Sequence, residues 1–182
     1  MTSRLILLLA VCLAGCAKPL EVGSITEIQN STGSKSIDVL EPKRIAGQVD
    51  VPEFSGDQLM EVRTYADSEN SGRVEVAGAI CDLSAADFKA SMETPAKVRV
   101  PLYRNQSSTL AVSCHKPDYR KTLITVSAVD VTRQQRLASG SGGGLIGVAV
   151  VAAFDAAADN TKNEWRYPLV AIFLERETSK PK

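Results

Sequence analysis

The strongest constraint in this sequence is an alternation of apolar and polar residues with period two, repeated in short runs through its middle. Met60, Val62 and Thr64 alternate with Glu61, Arg63 and Tyr65; Val98, Val100 and Leu102 alternate with Lys97 and Arg99. Successive side chains of a strand point to opposite faces, so this spacing predicts half-buried strands. Leu110, Val112 and Cys114 share one parity, which turns Cys114 inward. Val74 and Val76 alternate with Arg73 and Glu75, and beyond Gly78 the apolar residues Cys81 and Leu83 take the opposite parity. A glycine at a parity switch predicts a bulge. Residues 123–131 form a further candidate strand. Residues 169–174 are apolar on both parities and predict a central strand buried on both faces. Thr94-Pro95 and Lys116-Pro117-Asp118 supply turns. Short strands at this spacing predict a mainly β chain, with a small antiparallel β-sandwich over residues 57–176.

Composition narrows the class. Apolar residues make up 44% and charged residues 23% of 182, and 21 basic residues balance 21 acidic ones. These values exclude a disordered polyelectrolyte, a collagen-like repeat and a cysteine-dense knot. Zero net charge argues against a dedicated nucleic-acid binder.

The start of the chain gives an address. Arg4 precedes an apolar run from Leu5 to Leu13, the layout of a secretory signal, and the run is too short to span a bilayer. The next residues, Leu13-Ala14-Gly15-Cys16, resemble the bacterial lipobox. That resemblance implies a signal peptide over residues 1–15, cut before Cys16. It also implies a covalent diacylglycerol and an N-acyl chain such as palmitate on Cys16. Each buried methylene contributes about 0.8 kcal/mol, so several acyl chains anchor a protein stably. Ala17 stands where an inner-membrane retention aspartate would otherwise stand, which implies an outer-membrane address in the bacterial cell envelope. Removal of Arg4 leaves 20 basic against 21 acidic side chains, so attachment rests on the lipid.

Two cysteines remain for the folded part, Cys81 and Cys114. An oxidising compartment favours a disulfide between them. Metal ligation or a redox dithiol are the alternatives, although the chain has no C-x-x-C and only one histidine, His115. Residues 16–56 are rich in Ser, Thr, Gly, Pro and charge. They predict a lipidated N-terminus and a flexible tether, the alternative being a segment that docks on the domain. Within them, Ile37-Asp38-Val39-Leu40 suggests a brief strand. Residues 177–182 predict a disordered tail.

The segment after Ser139 is of another kind. It is glycine-rich and then alanine-rich, and predicts a helical insertion over residues 143–159. Asp155 and Asp159 keep its apolar run too short for a membrane span. Gly143 and Gly147 are four apart, a spacing that lets helices approach closely. The insertion therefore either packs on its own sheet, docks shallowly on the membrane, or makes a homo-oligomer contact.

Gly78-Ala79-Ile80-Cys81, Thr94-Pro95-Ala96, Leu110-Ala111-Val112-Ser113-Cys114 and Pro117-Asp118-Tyr119 resemble bacterial lipoproteins of the PEGA-like kind, with Asp118 where glycine is usual. Gly143-Gly144-Leu145-Ile146-Gly147 and Trp165-Arg166-Tyr167-Pro168 resemble the downstream part of such proteins. The resemblance spans residues 75–175. It implies a small sandwich similar to the carboxypeptidase regulatory domain, a role in attachment or interaction, and no catalytic set.

Other motifs carry less chemistry. Gly142, Gly144 and Gly147 satisfy G-x-G-x-x-G, but a polar stretch precedes them where a dinucleotide site needs a buried strand. Ser113-Cys114-His115-Lys116 fits S-x-x-K, yet on a strand Ser113 and Lys116 lie about 10 Å apart. His115 alone gives zinc too few ligands and reads as a solvent-facing residue at a strand end. Trp165, the sole tryptophan, either caps the core or stacks on a ligand. The expected function is a non-enzymatic binding or scaffolding protein, lipid-anchored and without cofactor or metal, meeting a protein or cell-wall partner. A small envelope hydrolase and a structural lipoprotein self-associating through the Gly/Ala helix are the alternatives.

Overall fold

The computed structural model describes residues 18–69, 72–104, 107–140 and 163–177. In chain order these form β1 (Ile25–Glu27), β2 (Gln29–Asn30), the short helix α1 (Glu41–Ile45), β3 (Phe54–Ser68), β4 (Gly72–Glu75) and β5 (Ile80–Ser84). There follow β6 (Phe88–Glu93), β7 (Ala96–Tyr103), β8 (Leu110–His115), β9 (Thr122–Val126), β10 (Val129–Asp130), α2 (Val131–Gly140), β11 (Trp165–Arg166) and β12 (Val170–Phe173). The protein is mainly β, as the alternation requires.

Two five-stranded sheets carry the fold. The first has the order β1-β7-β3-β12, with β4 paired to the far half of β3; the second has the order β2-β6-β5-β8-β9. The second is antiparallel throughout. The first is mixed, because β1 runs parallel to β7 and β12 parallel to β3. Met60, Val62, Val98 and Val100 of the first sheet join Leu83, Phe88, Leu110 and Val112 of the second in one buried cluster. Full burial of such a side chain contributes about 1.5–3 kcal/mol, against about 0–1 for an exposed ion pair. The apolar parity therefore decides which face of each strand turns inward.

The chain passes between the sheets at several points. Ile28 alone separates β1 from β2. Residues 76–79 carry it from β4 to β5, and Thr94-Pro95, a cis peptide, returns it from β6 to β7. These last two passages lie side by side. Gly78 N–H donates to Thr94 O at 2.7 Å, and Thr94 N–H to Ala79 O at 2.9 Å. Buried Thr64 and Thr94 join the passages to β3, with their hydroxyl oxygens 2.6 Å apart and Thr64 donating to Val76 O at 2.6 Å. Every buried hydroxyl proton there has an acceptor, as burial demands.

Several expectations change. Gly78 is a left-handed residue, φ 76°, between strands of different sheets and not a bulge within one strand. The register irregularity falls at Phe54/Gly56, where Gly56 has φ 130°. β12 is an edge strand buried on alternate residues, so only one face of residues 169–174 is covered. The strand expected over 123–131 divides into β9 and β10, and α2 begins at Val131. Asp130 accepts from Arg133 N–H at 2.8 Å, the bond of an N-cap, which ends the strand there. The expected insertion 143–159 lies outside the described residues.

The folded unit also begins earlier than residue 57. β1 and β2 add to one sheet each, Val39 and Leu40 are buried in the core, and residue 57 itself lies within β3. Much of the segment expected as a tether is thus docked. Residues 37–40 form the turn into α1 and not a strand. The Lys116-Pro117-Asp118 turn is present: Tyr119 N–H donates to Lys116 O, and Asp118 takes the positive φ, 69°, that glycine would adopt.

Candidate functional site

A cleft of about 680 Å³ opens at the end of the sheets where three connections meet. One wall is the segment from Leu40 to Pro52, which includes α1. The second is the β5–β6 turn at Ala86 and Asp87, and the third is Ser107, Ser108 and Thr109 before β8.

Local sequence builds the first wall. Pro42 suits the start of a helix, and Gly47 at φ 71° suits its end. Gly47 N–H donates to Arg44 O at 3.0 Å and Gln48 N–H to Lys43 O at 3.1 Å, the paired bonds of a Schellman motif. The chain is thereby reversed after five helical residues. Arg44 then ties the segment to itself, with its guanidinium on the Asp38 carboxylate and on Pro52 O.

Polar contacts fix this wall to the sheets. Asp38 Oδ1 accepts from the Tyr103 hydroxyl of β7 at 3.2 Å, and Tyr103 Oη accepts from Leu40 N–H at 3.3 Å. Burial pushes the Tyr103 phenol up to about 12, which keeps it a neutral donor. Lys43 Nζ meets Asp87 Oδ1 at 2.6 Å and closes the first wall onto the second. The Tyr167 hydroxyl donates to Ser108 O at 2.5 Å and holds the third wall. Its phenol too is pushed up to about 12 by burial.

The cleft therefore presents hydroxyls, the Gln48 amide and the joined Lys43–Asp87 charges beside Val49, Val51 and Pro52. Val49 is 88% exposed on its rim, with Ile45 close by in sequence at 80%. This lining offers hydrogen-bond donors and acceptors beside a small apolar surface. His115 sits at the opposite end of β8 from the cleft and is exposed.

Cys81 and Cys114 come together. They are direct partners across β5 and β8, fully buried, with Cα atoms 4.1 Å apart and the sulfurs at disulfide distance. Ser113, Cys114 and His115 follow one another on β8, so the S-x-x-K spacing is extended, as β geometry dictates. Trp165 is half-buried on β11 and borders a second, smaller cleft of about 350 Å³ with Asp57, Arg104 and Arg166. Leu13, Ala14, Gly15, Cys16, Gly143 and Gly147 lie outside the described residues. Among the described residues, no cluster of His, Cys, Asp and Glu could hold a metal, and no helix is long and apolar enough to cross a membrane.

The first wall of the cleft was not legible in the sequence because residues 40–52 fall in the stretch that composition assigns to a tether, and the other walls are short connections with no periodic signal. The usable signal was Glu41-Pro42 followed by Gly47, a short helix bracketed by its start and stop residues. Comparison with family models, with curated proteins and with solved structures finds no match for the chain.

Proposed function

We propose that the protein is a lipid-anchored component of the bacterial cell envelope, at the outer membrane, acting as a non-enzymatic binding or scaffolding module. The observation that carries this reading is Leu13-Ala14-Gly15-Cys16 directly after a short apolar run with one preceding arginine. Acylated Cys16 is the anchor, and the β unit is a small sandwich of the PEGA-like kind. Two sheets that share one core, and a cysteine pair suited to an oxidising compartment, support that description. The cleft between α1, the β5–β6 turn and residues 107–109 receives the partner, a protein or cell-wall polymer rich in hydrogen-bonding groups.

Replacement of Cys16 by alanine tests the anchor. The Cys16→Ala chain is expected in the soluble fraction after cell lysis, while the unaltered chain sediments with membranes. Continued tight membrane retention of Cys16→Ala overturns lipid as the attachment. The balanced charge supports the same expectation, since a near-neutral protein gains little from anionic headgroups.

A further inference from the structure

The way the N-terminal strap is fastened limits how far the folded unit can stand from an anchor at Cys16. Among the described residues, which begin at Lys18, Leu20 is the first one held. Its N–H donates to Glu75 Oε2 at 2.9 Å, and its carbonyl accepts from Arg63 Nη1 at 3.1 Å. Gly23 N–H then reaches Pro95 O at 3.4 Å, and residues 25–27 pair with β7. The strap is thus fixed at three successive places before it enters β2 and the second sheet.

The side of the molecule follows from parity. Met60, Val62 and Thr64 turn to the interior, so Arg63 stands on the outer face of the first sheet. Glu75 pairs in register with Tyr65 and stands on that face as well. Leu20 therefore lies across the outer face. Ile25 and Leu59 share the face, since they lie opposite Lys97 and Arg99 in register, and both are partly exposed. The arginines around them are paired with acids: Arg63 meets Glu61 and Glu75, and Arg99 meets Glu27 and Asp57.

Only four residue steps separate Leu20 from Cys16. A fully extended chain covers about 3.3–3.6 Å per residue, so the anchor lies within about 14 Å of Leu20. A free tether of some 40 residues would instead have an r.m.s. span of about 35 Å. We infer that the outer face of the first sheet lies against the lipid surface in which Cys16 is anchored, with the second sheet turned away from it. The partner of this face is the headgroup layer of the protein's own membrane. Tether length brings the face to the membrane, because its paired charges supply little attraction of their own.

This rests on the lipid-anchor reading, and the test separates the two. The full lipidated chain, purified from a bacterial host, is reconstituted in phosphatidylethanolamine–phosphatidylglycerol vesicles that carry nitroxide on their headgroups. A single fluorophore is placed through Ile25→Cys or Leu59→Cys on the near face, and through Ser91→Cys on the outer face of the second sheet. The near labels are expected to lose most of their emission and the Ser91 label to keep nearly all of it. A Gly/Ser spacer of about 30 residues between Ala17 and Lys18, with an r.m.s. span of about 30 Å, is expected to remove the difference. Equal quenching at near and far labels, with the N-terminal peptide carrying its lipid by mass spectrometry, overturns the orientation alone. An N-terminal peptide without lipid overturns the anchor reading and the orientation with it.

Discussion

The two sheets follow the same pleat but are closed by different means. The second has one inward cysteine on each of two central strands, matched in register, and a covalent bond can join them inside the core. The first has no cysteine among its described residues. It is held at its margins by polar contacts: Arg63 against Glu61 and Glu75 outside, Thr64 against Thr94 at the crossing, and Tyr103 against Asp38 at the cleft. One sheet should thus answer to reductant, the other to the loss of single polar side chains and to alkali.

The largest effect should come from the second sheet. Cys81 and Cys114 are 33 positions apart, and closing a loop of that size stabilises by about 3–4 kcal/mol in the chain-entropy model. The Cys81→Ala, Cys114→Ala double variant should unfold at a markedly lower urea midpoint than the oxidised protein. Reductant should lower the parent's midpoint and leave the variant's unchanged. A parent midpoint indifferent to reductant would remove the covalent half of the contrast.

Next comes the outer face of the first sheet. The Arg63 side chain is 10% exposed and that of Glu75 is 11%, so their pair is shielded from solvent. Hydrogen bonds to charged groups are worth about 1.5–3 kcal/mol, and removing one partner leaves the other desolvated. Arg63→Ala should therefore cost about 2–3 kcal/mol in urea unfolding. The Arg63→Ala, Glu75→Gln double variant should recover part of that loss. Arg63 also holds Leu20, so the variant should expose the strap to proteolysis while Cys81→Ala, Cys114→Ala does not. A cost below about 0.5 kcal/mol would class the pair with ordinary surface ion pairs.

The same contrast explains what the sequence disclosed. Alternation exposed the inward positions of β3, β7 and β8, because burial of one face imposes period two wherever a strand is long enough to show it. It also turned Cys114 inward, while the register that sets it opposite Cys81 is a long-range pairing. It was silent on β1 and β2, whose three and two residues are too short to show a period. It misplaced β12, since four apolar residues read alike at a sheet's centre and at its edge; strand order depends on long-range pairing that local spacing does not encode. The cleft was hidden for a related reason. Asp38, Arg44 and Tyr103 meet only after the chain has folded, and Asp38 and Tyr103 are 65 positions apart.

The smallest effect at neutral pH belongs to Tyr103, where the first sheet meets the cleft. Tyr103→Phe removes the hydroxyl that donates to Asp38 and accepts from Leu40 N–H, a loss of about 1 kcal/mol. The larger consequence lies in alkali. The folded phenol is raised from 10.0 to about 12, chiefly by burial, so the neutral form is favoured in the native state. Below about pH 10 both states hold the proton and the contribution of burial is complete. Between about 10 and 12 the unfolded chain ionises first, and that contribution is lost as pH rises through the folded value. Tyr167 behaves alike. Unfolding free energy should therefore fall over this window, and Tyr103→Phe should flatten the fall while stabilising less at pH 7. The oxidised and Cys81→Ala, Cys114→Ala proteins should show the same slope there, because neither cysteine titrates in those forms. Equal slopes for Tyr103→Phe and the parent would transfer the alkaline sensitivity from the first sheet to some other part of the molecule.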